Sequence, residues 1–355
     1  MNEIPGVFLW VGPGAAVLTW IMVFMIIRLA PRVGLLDRPN ERSLHSRVTP
    51  RGGGIGIVAA ALGVALWWLW FEVAGSGLAG SLQAFLVAAG AVALVSLWDD
   101  FRSLGAGWRL LCHLAAAGVT VGFIGSIREV AIPLVGVIPL GNAGVALTVL
   151  WIVGLTNVYN FMDGIDGIAA TQGVIAGLVW AAVGVAWSLP AVALLGLALA
   201  GACLGFLLHN WSPARIFMGD VGSAFLGFCF AVVPLLALVE MGDARAASIP
   251  GLAVLSVWPF VGDGFLTFYL RACRREPVWK AHRLHLYQKL VRSGLSHAHV
   301  SRLYACWSGA CALTGLGWIT GLPGFDLALV VVPAATLGGM YWYTRKREKA
   351  GGRHD

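Results

Sequence analysis

The sequence predicts an all-α, polytopic membrane bundle of about eleven transmembrane helices, and three observations carry that reading. Apolar runs of spanning length, or close to it, recur along nearly the whole chain. Only 12% of the 355 residues are charged and 59% are hydrophobic, whereas a soluble domain is about one quarter charged. The basic residues fall almost entirely on one side once the runs are threaded back and forth.

A helix needs about twenty apolar residues to cross the hydrocarbon. The runs that meet this, or nearly so, are Gly6–Leu29, Gly53–Phe71, Leu82–Trp98, Trp108–Ile124, Ala143–Val158, Ile165–Trp187, Pro190–Leu208, Val221–Val239, Ile249–Leu270, Ser301–Ile319 and Phe325–Tyr343. Between the fourth and fifth, Ile127–Leu140 alternates and carries two prolines, the pattern of a small hairpin. With the N-terminus outside, the inner loops hold Arg32, Arg38, Arg42, Arg47 and Arg51, then Arg102 and Arg109, then Arg215. The largest loop adds eight more between Arg271 and Arg302, and the tail five, so 21 of the 24 basic residues lie inside. The N-terminus is therefore expected on the periplasmic side and the C-terminus in the cytoplasm.

The first residues have neither a basic n-region nor a small-residue cleavage site, so no removed leader is expected. The six cysteines sit mostly in apolar runs without CxxC spacing and read as small buried hydrophobes. Without repeats or linkers, residues 1–355 are expected to form a single domain with a basic tail over 345–355.

Five aspartates mark where chemistry is expected. Asp99 and Asp100 end the third span, Asp163 and Asp166 follow the fifth, and Asp220 precedes the eighth, all at inner helix ends. At the bilayer centre each would cost about 3 kcal/mol, so an interfacial position is expected on cost alone. Their gathering on one face beside the bases argues further for a site. The stretch NVYNFMDGIDGIAA begins at Asn157 and includes Asn160. Its Asp163 and Asp166 share a side if the backbone is helical, and carboxylates so placed suit Mg²⁺, a hard cation that shares its shell with phosphate. The alternative is a polar loop with helix-capping Asp and Asn. Arg47, Thr49 and Arg51 lead into three glycines at a helix start, a phosphate-binding pattern that also suits a topogenic loop. His282, Arg283 and His285 form a basic cluster better fitted to an anion than to a metal. Phe217 is either a ring for a nucleobase or an interfacial anchor.

HSRVTPRGGG, WDDFRS, NVYNFMDGIDG, HNWSPARIFMGDVGS and HRLHLYQKL occur in this order, one per inner loop. Together they resemble the polyprenyl-phosphate N-acetylhexosamine-1-phosphate transferases, which include the initiating enzymes of O-antigen synthesis and the phospho-MurNAc-pentapeptide translocase. The resemblance covers nearly the whole chain. It implies a multi-pass enzyme of the bacterial inner membrane that moves a sugar 1-phosphate from a UDP-sugar to undecaprenyl phosphate and releases UMP. Mg²⁺ or Mn²⁺ is the implied cofactor, a homodimer a family-level expectation, and no nucleic-acid partner is expected. Matched motif by motif, Asp99 and Asp100 are placed near the lipid phosphate, Asn160 and Asp166 with the nucleotide, and Asn157 among the substrate-binding residues. Asp220 and Asp163 are matched to the metal, Phe217 to uracil, and His282, Arg283 and His285 to the diphosphate and sugar. Arg283 interrupts the translocase's run of three histidines, which favours the O-antigen-type branch. Phe101 and Arg102 follow the aspartate pair where the translocase has a nearby Lys, leaving the role of Arg102 open.

A phosphate monoester has a second pKa of about 6, so the lipid phosphate is mostly dianionic at neutral pH and direct in-line attack needs no strong base. A covalent aspartyl intermediate is the alternative. UDP-GlcNAc is the default donor, with UDP-FucNAc, UDP-QuiNAc and phospho-MurNAc-pentapeptide transfer also open. Among rivals, DGIAAT lacks the Arg of the CDP-alcohol phosphotransferases, and the acids are too scattered for an intramembrane prenyltransferase. An ion-coupled transporter would need a midplane carboxylate, for which Asp263 is the one good candidate.

Overall fold

The computed structural model describes residues 4–39, 44, 47–71, 77–241, 246–276 and 283–351. Among these, thirteen α-helices follow one another: α1 (Ile4–Val33), α2 (Gly54–Phe71), α3 (Leu78–Phe101), α4 (Ala106–Phe123), α5 (Ala143–Met162), α6 (Ile168–Ala186), α7 (Pro190–Asn210), α8 (Asp220–Met241), α9 (Ile249–Ser256), α10 (Trp258–Cys273), α11 (Leu286–Arg292), α12 (His297–Ile319) and α13 (Phe325–Gly351). Two small antiparallel pairings complete the described chain: β1 (Leu36–Asp37) with β2 (Thr49–Pro50), and β3 (Glu129–Ile132) with β4 (Gly136–Pro139). The second is the expected hairpin, with Glu129 opposite Pro139 and Ile132 opposite Gly136. The first was not foreseen.

All eleven apolar runs fall on helices. Nine helices among the described residues are long and apolar enough to cross a membrane, and the protein is an all-α, multi-pass membrane bundle. The count differs from eleven for two reasons. The ninth run is broken between α9 and α10 with a bend of 74°. The break falls at Val257, two residues before Pro259 in the first turn of α10, where proline cannot continue the preceding ladder of hydrogen bonds. The tenth run becomes α12, which is long enough but is not among the nine apolar helices.

Lipid-facing and protein-facing helices separate clearly. The apolar stretch of α8 is 94% buried within the protein, against 6% for α13. α6 and α7 lie beside α8 in the centre because small residues let their backbones approach. A Cβ at Gly177 would stand 2.7 Å from the Ala200 nitrogen, and one at Gly201 would collide with the Gly12 carbonyl of α1. In lipid, where hydrophobic burial drives helix association weakly, such close contact holds a bundle together.

Candidate active site

The end of α3, the turn after α5 and the start of α8 converge on a cavity of about 270 Å³. Seven residues singled out in the sequence line it: Arg51, Asp100, Asn160, Asp163, Asp166, Phe217 and Asp220. The carboxylates therefore come from three segments distant in sequence but adjacent in space.

Polar contacts between the loops hold this arrangement. Asp100 accepts the backbone N–H groups of Asp220 at 3.1 Å and Val221 at 3.0 Å, so its carboxylate serves the N-terminus of α8, where negative charge is favoured. Gly219, at φ +77°, is required at this contact, because a Cβ there would stand 2.7 Å from Asp100 Oδ2. Arg51 donates to the Asp100 carbonyl. The Phe217 N–H donates to the Pro50 carbonyl at 2.8 Å and the Gly53 N–H to the Phe217 carbonyl at 3.0 Å, joining the TPRGGG and IFMGD segments. Asn210 bridges two further turns, accepting the Gly167 N–H at 2.9 Å and donating to the Ile216 carbonyl at 2.8 Å. Asn160 Oδ1 accepts the Ser223 hydroxyl at 2.6 Å.

The two aspartates of the DGIDG turn have opposite surroundings. Among the described residues no donor reaches the Asp163 carboxylate. Burial, then the negative charges of Asp100 and Asp166, push its pKa up to about 7. Burial also pulls the Asp166 pKa upward, but the hydrogen bond and charge of His297, the Ala214 N–H and the Ser212 side chain outweigh it, and the net shift is downward. His297 Nδ1 lies 3.2 Å from Asp166 Oδ1. Asp99 is off the cavity lining. Its Oδ1 accepts the Leu104 N–H, and its Oδ2 lies 2.9 Å from Arg109 Nη1, which also lies 3.1 Å from Asp220 Oδ2.

Other singled-out residues lie elsewhere. Arg47 is exposed, and Thr49 is buried with its hydroxyl donating to the Arg47 carbonyl. Asn157 donates to the Val153 carbonyl at 2.7 Å and lies 3.2 Å from His113 Nδ1. Arg102 is exposed, 5.9 Å from the Trp98 ring centroid. Arg283 and His285 are not among the residues that line the cavity, and His282 lies outside the described residues. His285 is buried, with Nδ1 3.3 Å from Asp263 Oδ1. Asp263, the transporter candidate, is fully buried. Beside His285 it accepts the Leu286 N–H at 2.9 Å, the Tyr287 N–H at 3.4 Å, the Thr267 hydroxyl at 3.1 Å and the Tyr304 hydroxyl at 2.6 Å.

Sequence reasoning missed Asp37, Asn210, Gln288 and His297 on the lining, and Arg109 beside it. Asn210 stood inside a quoted motif, and Arg109 counted only as an inner-loop base. His297 gave no spacing signal, since α12 alone brings it to Asp166.

Asp163, Asp220 and Asn160 offer hard oxygen ligands on one cavity, and among the described residues no donor occupies the Asp163 carboxylate. Among the described residues no three acidic, His or Cys side chains form a cage for a metal. Mg²⁺ is usually held by one or two carboxylates and completes its shell with water and phosphate, and Asp163 and Asp220 on the shared lining are two such groups. The residues present thus fit the ion.

Fold and site together define a multi-pass membrane protein with carboxylates and an arginine on one shared cavity. Residues 82–238 match the model of glycosyl transferase family 4. The chain is 31% identical over 354 residues to "Decaprenyl-phosphate N-acetylglucosaminephosphotransferase" of Mycobacterium tuberculosis, covering 93% of this chain and 87% of the relative. It is 31% identical over 285 residues to "Probable undecaprenyl-phosphate N-acetylglucosaminyl 1-phosphate transferase" of Bacillus subtilis, covering 79% and 77%. To "Phospho-N-acetylmuramoyl-pentapeptide-transferase" of a Synechococcus species it is 33% identical over 309 residues, covering 80% and 83%. The chain belongs to glycosyl transferase family 4 and is a transferase, in agreement with the resemblance of its five motifs.

Proposed function

We propose that the protein transfers an N-acetylhexosamine 1-phosphate from a UDP-sugar to undecaprenyl phosphate, releasing UMP, at the cytoplasmic face of a bacterial inner membrane. One observation carries the reading: Asp100, Asp163, Asp166 and Asp220, from three separate segments, line one cavity with Arg51. The relatives' names support the polyprenyl phosphate acceptor and the sugar-phosphate donor. The basic inner loops support the cytoplasmic face.

Both substrates are anions, so the first task of the site is to lower their mutual repulsion. Arg51 contributes a permanent positive charge that matches phosphate oxygens. Mg²⁺, held by Asp163 and Asp220, would supply charge neutralisation and polarisation of phosphoryl oxygen. Phe217 on the lining offers a face for the uracil ring. Asp99 lies off the lining, tied to Leu104 and Arg109, and would orient the lipid phosphate through Arg109, with the phosphate dianion itself the nucleophile. UDP-GlcNAc is the first candidate donor, in line with the relatives named for N-acetylglucosamine. UDP-FucNAc and UDP-QuiNAc serve the same chemistry. Initiation of O-antigen synthesis is the proposed pathway role.

Five hydrogen-bond donors hold Asp263 in one place, an arrangement that disfavours ion-coupled transport. The purified protein, given undecaprenyl phosphate, Mg²⁺ and each UDP-sugar in turn, is expected to release UMP with at least one N-acetylhexosamine donor. No UMP from any donor, with solute uptake by vesicles carrying the protein, would overturn the reading.

A further inference from the structure

A single nitrogen of Arg109 bridges two carboxylates. Nη1 lies 2.9 Å from Asp99 Oδ2 and 3.1 Å from Asp220 Oδ2. Because they share that one nitrogen, the two Oδ2 atoms stand no more than about 6 Å apart, within the range over which like charges act on each other. Carboxylates so close repel unless a cation lies between them. One guanidinium leaves this group with a net negative charge, and a divalent cation does not.

We infer that Arg109 holds the place of the divalent cation. When the cation binds at Asp220, the guanidinium leaves the Asp99–Asp220 pair and turns to the phosphate oxygens of the anionic substrate. The inference rests on the metal-and-phosphate reading of the cavity given above.

The surroundings make Arg109 the partner that moves. Asp99 is fixed by the Leu104 N–H on its other oxygen. The Asp220 backbone is fixed by Asp100. The Arg109 side chain is 30% exposed and has room to swing. Arginine does not lose its proton under any ordinary condition, so it cannot yield to an incoming cation by becoming neutral. It must be displaced, and it carries a planar donor fork suited to phosphate. Cation and anionic substrate then bind cooperatively. Each raises the affinity of the other by the same factor, as any linked equilibrium requires.

The test is Mn²⁺ binding to the purified full-length protein, followed by electron paramagnetic resonance with no substrate present. Arg109→Gln removes the competing cation, and its Mn²⁺ Kd is expected to fall about tenfold, within the usual range for coupled sites. Arg109→Lys keeps the charge and is expected to bind Mn²⁺ less tightly than the glutamine variant. In the wild type, Mn²⁺ is expected to strengthen UMP binding, and in Arg109→Gln that gain shrinks toward nothing. Equal or weaker Mn²⁺ binding by Arg109→Gln overturns the inference. If that variant does not fold, a wild type whose UMP affinity ignores Mn²⁺ overturns it instead. Absence of UMP release from every UDP-sugar, with the Mn²⁺ results as expected, sinks the transferase chemistry but not the exchange. Normal transfer with unchanged Mn²⁺ affinity sinks only the exchange.

Discussion

Asp263 accepts the backbone N–H of Leu286 at 2.9 Å from a position buried within the bundle. Through this bond and its partners, α10 fixes the start of α11. The Tyr287 hydroxyl in turn donates to the Phe161 carbonyl at 3.0 Å, beside the DGIDG turn. Gln288, one residue further, lines the cavity. The last basic motif is thus docked onto the site by a buried carboxylate.

Asp263→Ala removes the acceptor of five donors and leaves them buried. Breaking such a site costs about 3 kcal/mol or more. A lower thermal midpoint of the purified protein is expected, with greater protease sensitivity around α11. An unchanged midpoint would show that Asp263 does not hold the loop.

Gly164 has no room for a side chain, since a Cβ there would collide with the Tyr287 hydroxyl. Gly164→Ala is expected to lower transfer activity by about tenfold or more, as a small misplacement of reacting groups does. Tyr287→Phe takes away the colliding oxygen, so the double variant should lose less activity than the two single losses combined. Strict additivity in the activity cycle would place the effect elsewhere.

The raised pKa of Asp163, about 7, has two consequences. Cation binding needs the carboxylate, so Mn²⁺ affinity should climb as pH rises from 6 to 8 in the wild type and climb less steeply in Asp163→Asn. Stability runs the other way. Between the unfolded value of 3.8 and about 7 the folded state binds more protons than the unfolded one, so this group makes stability fall as pH rises. Asp163→Asn should therefore gain stability relative to wild type between pH 4 and pH 8. A difference independent of pH would contradict the shift.

Asp220→Asn keeps the size of the side chain and removes its charge at the proposed metal position. Mg²⁺-dependent UMP release should fall by about a hundredfold or more, with size-exclusion behaviour and helix content unchanged. Wild-type turnover would remove Asp220 from that role.

His297→Ala deprives Asp166 of the partner that draws its pKa downward. The expected result is a KM for the UDP-sugar raised about tenfold or more, typical of one lost hydrogen bond to a charged group. The KM for undecaprenyl phosphate should stay the same. Equal rises in both would point to a general distortion of the cavity.

What the chain announced on its own was the membrane bundle, the small hairpin and most of the acidic site. Apolar runs, charge depletion and aspartates at helix ends are local properties, imposed by the cost of placing charge in lipid, and they survive in one dimension. Tertiary structure decided the rest. Whether Asp100 faces a substrate or caps α8, whether Asp263 is a transport group or an anchor, and that His297 and Arg109 belong to the acids at all depend on which helix ends meet. That meeting is set by small-residue packing between α1, α6 and α7 and by the break before Pro259. These act between residues far apart in sequence, and no spacing along the chain records them.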